Sequence, residues 1–237
     1  MPASTEFAPG LTFQNTTLPQ KLSDYRLIAF DMDSTLITIE CIDEIADVAG
    51  KKAEVAAITE ATMRGEITDF KDSLRQRVGK LVGVTEADMQ RVIAERLQLS
   101  PGAEKLVQAA QDAGLKVLLV SGGFTFFAEH VRGLLHIDFV RANVLHVRDG
   151  VLTGGLVEQA WGDICDGAEK RRTLLEVASL LGIAPAQCIA VGDGSNDIPM
   201  MQAAGLSVAY HAKPRVRAEA KVCINEGGLD RLLEVLQ

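Results

Sequence analysis

Leu27–Thr38 reads LIAFDMDSTLIT. The apolar run Leu27–Phe30 has the character of a strand buried in a parallel sheet. It ends in two carboxylates one residue apart, Asp31 and Asp33. The carboxyl ends of strands are where open α/β sheets bind ligands. Two acids at such a tip repel each other, and a divalent cation resolves that repulsion. Taken alone, the pair reads first as an Asx-type turn after a strand. Its meaning depends on what the other strands bring beside it.

Two further apolar runs end in chemically unusual segments. Lys116–Val120 leads into Ser121-Gly122-Gly123, and Cys188–Val191 into Gly192-Asp193-Gly194-Ser195-Asn196-Asp197. From Ser100 onward, strand-like and helix-like stretches alternate, which implies a parallel sheet with right-handed crossovers. In such a sheet all three segments lie on one edge. A short strand is expected at Ile137–Arg141. A hairpin is expected where Val144–Val147 and Val151–Thr153 flank Arg148-Asp149-Gly150, and a closing helix at 228–236. Between about Glu40 and Gln98 the periodicity is helical, with later helices at about 52–63, 69–82 and 85–97. This reads as a small bundle inserted after the first strand. Residues 1–22 show no periodicity and read as an irregular arm. The expected organisation is an arm at 1–22, a catalytic core at 23–38 and 100–237, and a helical cap at 39–99. The fold class is α/β: a Rossmann-like core, its parallel sheet flanked by helices, plus the cap. Cap opening and closing would hinge near Thr38–Glu40 and Gln98–Pro101.

The 237 residues carry a net charge of −8, which argues against nucleic acid and anionic membranes as partners. The four cysteines are far apart and the four histidines show no ligand spacing, so neither zinc nor a disulfide framework is indicated. Residues 1–21 lack the pattern of a signal peptide, and no run approaches a membrane span. A cytoplasmic protein acting on a small molecule is expected, with monomer and homodimer both open.

A phosphate group at the shared edge would give these residues distinct work. Asp31 and Asp193 are hard oxygen ligands suited to Mg²⁺, and Asp197 can orient its waters or ligate directly. Ser121 offers a hydroxyl, and Gly122 and Gly123 let backbone N–H groups approach phosphate oxygens. So many carboxylates require a basic residue beside them. Lys170, near a helix start, is the candidate, with Lys213 behind it. Asp31 can attack phosphorus as a nucleophile, and Asp33 can serve first as acid and then as base.

These four ordered motifs resemble those of the haloacid dehalogenase superfamily of phosphatases: Asp31-Met-Asp-Ser-Thr, Ser121, Lys170 and Gly192-Asp-Gly-Ser-Asn-Asp. The stretches FDMDSTLITIECIDEIA, SLRQRVGKL, VSGGFTFFA and AVGDGSNDIPMM are similar to the branch that hydrolyses O-phospho-L-serine in the last step of serine biosynthesis. That resemblance implies that Glu40 binds the substrate ammonium and Arg77 its carboxylate. It implies that Ser121, Gly122, Lys170 and Asn196 hold the phosphate or its neighbours, and that Met63 and Phe70 shape the cap side of the pocket. Mg²⁺ would sit on Asp31, the backbone carbonyl of Asp33 and Asp193, with Asp197 behind them. Arg75 and Arg77 point about 200° apart on a helix, so only one can face the site. Two other readings stay open: action on another small amino-phosphate, and phosphoryl transfer to an acceptor hydroxyl such as that of homoserine. A receiver-like phospho-acceptor module also presents an Asp at a strand end, but Asp33 and the 40–98 insert argue against it.

Overall fold

The computed structural model describes residues 4–63, 66–162 and 164–237, with the side chain of Met63 outside the described set. The strands are β1 (Thr5–Ala8), β2 (Leu11–Phe13), β3 (Leu27–Phe30), β4 (Lys116–Phe124), β5 (Phe139–Arg148), β6 (Val151–Val157), β7 (Cys188–Gly192), β8 (Leu206–Tyr210) and β9 (Val222–Ile224). The helices are α1 (Cys41–Val48), α2 (Lys52–Met63), α3 (Phe70–Gly79), α4 (Glu86–Glu95), α5 (Ala103–Asp112), α6 (Thr125–Leu135), α7 (Gly167–Leu180), α8 (Ile198–Ala203) and α9 (Pro214–Glu219).

The nine strands among the described residues form one sheet in the order β1-β2-β9-β8-β7-β3-β4-β5-β6. From β9 to β5 neighbouring strands are parallel; β1–β2, β2–β9 and β5–β6 are antiparallel. The expected parallel sheet is therefore the centre of a mixed one. β3 lies between β4 and β7 and is buried on both faces: Leu27 and Ala29 pack into one layer, Ile28 and Phe30 into the other. A strand enclosed on both sides carries no polar alternation, which is why LIAF is apolar throughout. The β7–β3–β4 pairing puts the three chemically unusual segments side by side.

Three local expectations are corrected. Part of the supposedly irregular arm is a β1–β2 hairpin that adds to β9, with Leu11 fully buried. Strands of four and three residues are too short to show a period, and burial of one leucine, about 1.5–3 kcal/mol, helps dock them. Ile137–Arg141 and Val144–Val147 are not two strands: a single β5 begins at Phe139 and continues through Val147 to Arg148. The closing helix is a 3₁₀ segment, Leu229–Glu234.

Helices α1–α4 follow β3 and precede α5. The capping box of Thr85 and Asp88 starts α4. The two connections to the sheet run side by side: Thr38 N–H donates to Gln98 O at 3.0 Å, and Ser100 N–H to Leu36 O at 2.9 Å. The helical insert is also tied to the β5–β6 hairpin. Gly83 N–H donates to Leu152 O, Leu152 N–H to Val84 O, and Glu86 N–H to Gly150 O. Any motion of the insert about its two connections must carry that hairpin with it or break these bonds.

Candidate active site

The site is built on the tip of β3. Asp31 N–H donates to Val191 O of β7, so the residue continues the sheet for one more bond. Its Oδ1 accepts from Met32 N–H at 2.7 Å and lies 2.7 Å from Lys170 Nζ. The chain then turns sharply, with Ser34 in the left-handed region at φ 55°. The Ser34 hydroxyl donates to Glu40 Oε1 at 2.7 Å. Asp33 Oδ1 accepts from Cys41 N–H at 3.0 Å, which points this carboxylate back toward the start of α1.

Lys170 stands one turn into α7, whose first turn is fixed by Asp166 accepting from Glu169 N–H. It is completely buried, and its ammonium bridges Asp31 Oδ1 and Asp197 Oδ1, each at 2.7 Å. Burial works against that charge, but Asp197 and Asp31 outweigh it and hold the lysine protonated. The other oxygen of Asp197 accepts from Asp193 N–H at 3.1 Å and Gly194 N–H at 2.9 Å. One carboxylate thus shapes the loop after β7 and positions the lysine. Thr35 reaches Asp193 Oδ1 at 3.3 Å.

Oxygens of Asp31, Asp193 and Asp197 lie within 4.8 Å of one another. Burial and the Asp197 charge raise the pKa of Asp31 well above the usual carboxylate value, against the pull of Lys170. Burial, then Asp197 and Glu40, push Asp193 up to about 6. This crowd of hard oxygen donors, with one lysine between them, fits a divalent metal ion. Asp33 is pushed up to about 7 by burial and the nearby Glu40. It is therefore about half protonated near neutrality.

A cavity of about 300 Å³ opens above this floor. Asp31, Asp33, Ser121, Gly122, Asp193 and Asn196 line its sheet side; Glu40, Phe70 and Arg77 line the side of the helical insert. Lys170 and Asp197 are buried rather than among its lining residues. Phe70 begins α3 behind the Asp69 cap, and its ring would be 3.1 Å from a Cβ on Gly122. Arg77 lines this cavity, while Arg75 lines a separate one with Val78 and Gly154. Burial lowers the Arg77 pKa, opposed by Asp43, Glu40 and Asp33. Lys213 lines the cavity at the start of α9. Met63, expected on the cap side, has its side chain outside the described residues.

The sequence reading missed Asp43 and Asn143. Asp43 lies three residues beyond Glu40 on α1, lines the cavity and faces Arg77; helical spacing from Glu40 was the available signal. Asn143 is a buried amide in β5, bonded to Gly122 O. No sequence signal marks it, because β5 also carries Arg141, His146 and Arg148.

A carboxylate at a central strand tip, a lysine beneath it, a hydroxyl on the next strand and an acidic loop on the other side define a class. The haloacid dehalogenase-like hydrolase family model matches residues 25–205, and this chain belongs to that family. Among its relatives, the phosphoserine phosphatase of Polaromonas sp. is 67% identical, over 98% of this chain and 99% of its own. That of Haemophilus influenzae is 47% identical, over 91% of this chain and 67% of its own. A solved phospho-aspartyl intermediate analogue of phosphoserine phosphatase superposes with a TM-score of 0.82 at 37% identity, covering 90% of this chain and 99% of that one.

Proposed function

We propose that this chain hydrolyses O-phospho-L-serine to L-serine and phosphate through a phospho-Asp31 intermediate. The observation that carries the reading is one cavity holding two sets of groups: Asp31, Asp33 and Ser121 on the sheet side, Glu40 and Arg77 on the side of the insert. The likeness to phosphoserine phosphatases over nearly the whole chain supports the same substrate.

Asp31 attacks phosphorus, and Asp33, about half protonated near pH 7, gives its proton to the departing serine oxygen. Asp33 then takes a proton from the water that cleaves the acyl phosphate, one group switching roles. Lys170 balances charge on the Asp31 carboxylate, while the Ser121 hydroxyl, the Gly122 backbone and Asn196 hold phosphate oxygens. Phosphate monoesters hydrolyse extremely slowly in water, and acceleration comes mainly from alignment and charge compensation. Asp31, Asp193 and the Asp33 carbonyl would hold Mg²⁺, with Asp197 behind. When bound, the ion neutralises negative charge on the transferring group. Dialysis against a chelator should reduce phosphate release to background, and added Mg²⁺ should restore it; full activity in the chelated protein would contradict the assigned donors.

Arg77 offers a planar fork to the substrate carboxylate and Glu40 an acceptor to its ammonium. Arg77→Ala should lower kcat/KM for O-phospho-L-serine about 10²-fold, the scale of a lost charge-assisted pair. It should change phosphoethanolamine, which has no carboxylate, little. Equal losses on both substrates would remove Arg77 from this role. Adding homoserine and seeking a phosphorylated product separates transfer from hydrolysis.

Gly123 tests the Asp33 geometry. A Cβ there would stand 2.5 Å from Asp33 Oδ2 and 3.0 Å from Ser121 Oγ. Gly123→Ala should lower kcat about 10²-fold, as displacement of a reacting group by an ångström does. Near-normal kcat would show that Asp33 works from elsewhere. A cytoplasmic setting goes with this reading, since all four cysteines are free thiols. No helix among the described residues is long and apolar enough to cross a membrane.

A further inference from the structure

Asn143 is a buried polar side chain that the reaction as described does not use. It sits on β5 beside β4 and is 1% exposed. Its Nδ2 donates to Gly122 O at 2.7 Å, and its Oδ1 accepts from Cys165 N–H at 2.8 Å. Both ends of one amide therefore hold backbone groups from two distant segments.

The Gly122 carbonyl belongs to the same peptide unit as the Gly123 N–H. That N–H donates to Ser121 Oγ at 2.8 Å. The peptide is gripped on both sides, by Asn143 and by Ser121. The sheet does not do this work: the regular β4–β5 register breaks between Val120 and Phe124. The bond from Gly123 also decides what Ser121 can do. A hydroxyl that accepts one N–H keeps its own proton to donate, and Ser121 lines the cavity.

The other end of the amide reaches the start of α7. Cys165 precedes Asp166, whose carboxylate caps that helix and whose carbonyl accepts from Lys170 N–H at 2.9 Å. One side chain thus joins the Ser121 turn to the segment that positions Lys170. Neither of these two bonds reaches Glu40 or Arg77.

We infer that Asn143 is a positioning residue for the phosphate half of the site. It fixes the Gly122–Gly123 peptide, and through it the Ser121 hydroxyl, relative to the helix that carries Lys170. This rests on the reading of the cavity as a phosphoserine phosphatase site. A residue acting on that half alone weakens phosphate binding and spares serine binding. A merely structural residue weakens both.

The test is product inhibition, measured separately with inorganic phosphate and with L-serine, on wild type, Asn143→Ala and Asn143→Asp. Asn143→Asp keeps the acceptor for Cys165 N–H but sets an oxygen against the Gly122 carbonyl, and it carries the test if the alanine variant does not fold. The inhibition constant for phosphate should rise about tenfold or more and kcat/KM should fall about 10²-fold. The constant for serine should stay within about twofold, in line with an intact cap side. Equal weakening of both products, or an unchanged phosphate constant, overturns the inference. Wild-type protein that hydrolyses O-phospho-L-serine while the variants keep their phosphate inhibition refutes the role of Asn143 alone. Wild-type protein that cleaves only another phosphomonoester refutes the substrate reading, and phosphate inhibition measured with that ester still decides the role of Asn143.

Discussion

Asp31→Asn is expected to abolish turnover and to leave the protein at least as stable as before. The two effects have one source. Asp31 is buried beside Asp193 and Asp197, and its pKa is raised well above the usual carboxylate value by burial and the Asp197 charge. A raised carboxylate pKa means that the ionised form is disfavoured in the folded protein relative to the unfolded chain, so ionisation near neutrality costs stability. Asparagine has nearly the same shape, retains an oxygen for Met32 N–H and carries no charge. Lys170 keeps its partner Asp197 at 2.7 Å. The amide cannot form an acyl phosphate, so kcat should fall by about 10⁴-fold or more, the scale seen when a nucleophile is removed. Phosphate release measured with Mg²⁺, and thermal unfolding measured on chelated protein, check both parts. Near-normal turnover would rule out Asp31 as nucleophile; a large loss of stability would mean that its charge supports the fold.

Lys170→Met is expected to do the reverse to stability. Lys170 is fully buried and is the cation that bridges Asp31 and Asp197. Methionine fills much of the space of the aliphatic stem and removes the ammonium. Removing one partner from a buried ion pair leaves uncompensated charge and typically costs about 3–5 kcal/mol. The loss should appear as a lower denaturant midpoint in chelated protein. Activity should also fall about 10²–10³-fold, as when a preorganised electrostatic group is removed. Adding Asp197→Asn to Lys170→Met should recover much of the stability, since an orphaned carboxylate is removed with its lysine, but should not recover turnover. That non-additivity identifies a coupled pair. Additive losses in the double variant would mean that the two residues act independently.

The parts of this architecture legible in the sequence were local. LIAF followed by Asp-Met-Asp, KVLLV by Ser-Gly-Gly, and CIAV by Gly-Asp-Gly-Ser-Asn-Asp each carry strand and tip within a few residues. The α/β alternation then places the three tips on one edge. Lys170 was reached because the carboxylates needed a cation and its helix began at the right place; its complete burial between two of them was not visible. What sequence could not show depends on pairing between distant segments. Thr35 meets Asp193 across 158 positions, and Asn143 meets Gly122 across 21. The β1–β2 hairpin was hidden for another reason: its strands owe their form to the open edge of β9 rather than to a periodicity of their own.

The central claim is that substrate phosphate passes through Asp31. Wild-type protein mixed with O-phospho-L-serine and Mg²⁺, quenched in acid within the first turnovers and digested for mass spectrometry, tests it most directly. A phosphoryl group on Asp31, formed and lost at rates matching turnover and absent from Asp31→Asn, is the predicted result. Turnover with no phosphorylated aspartate, or with the group on another residue, would contradict it.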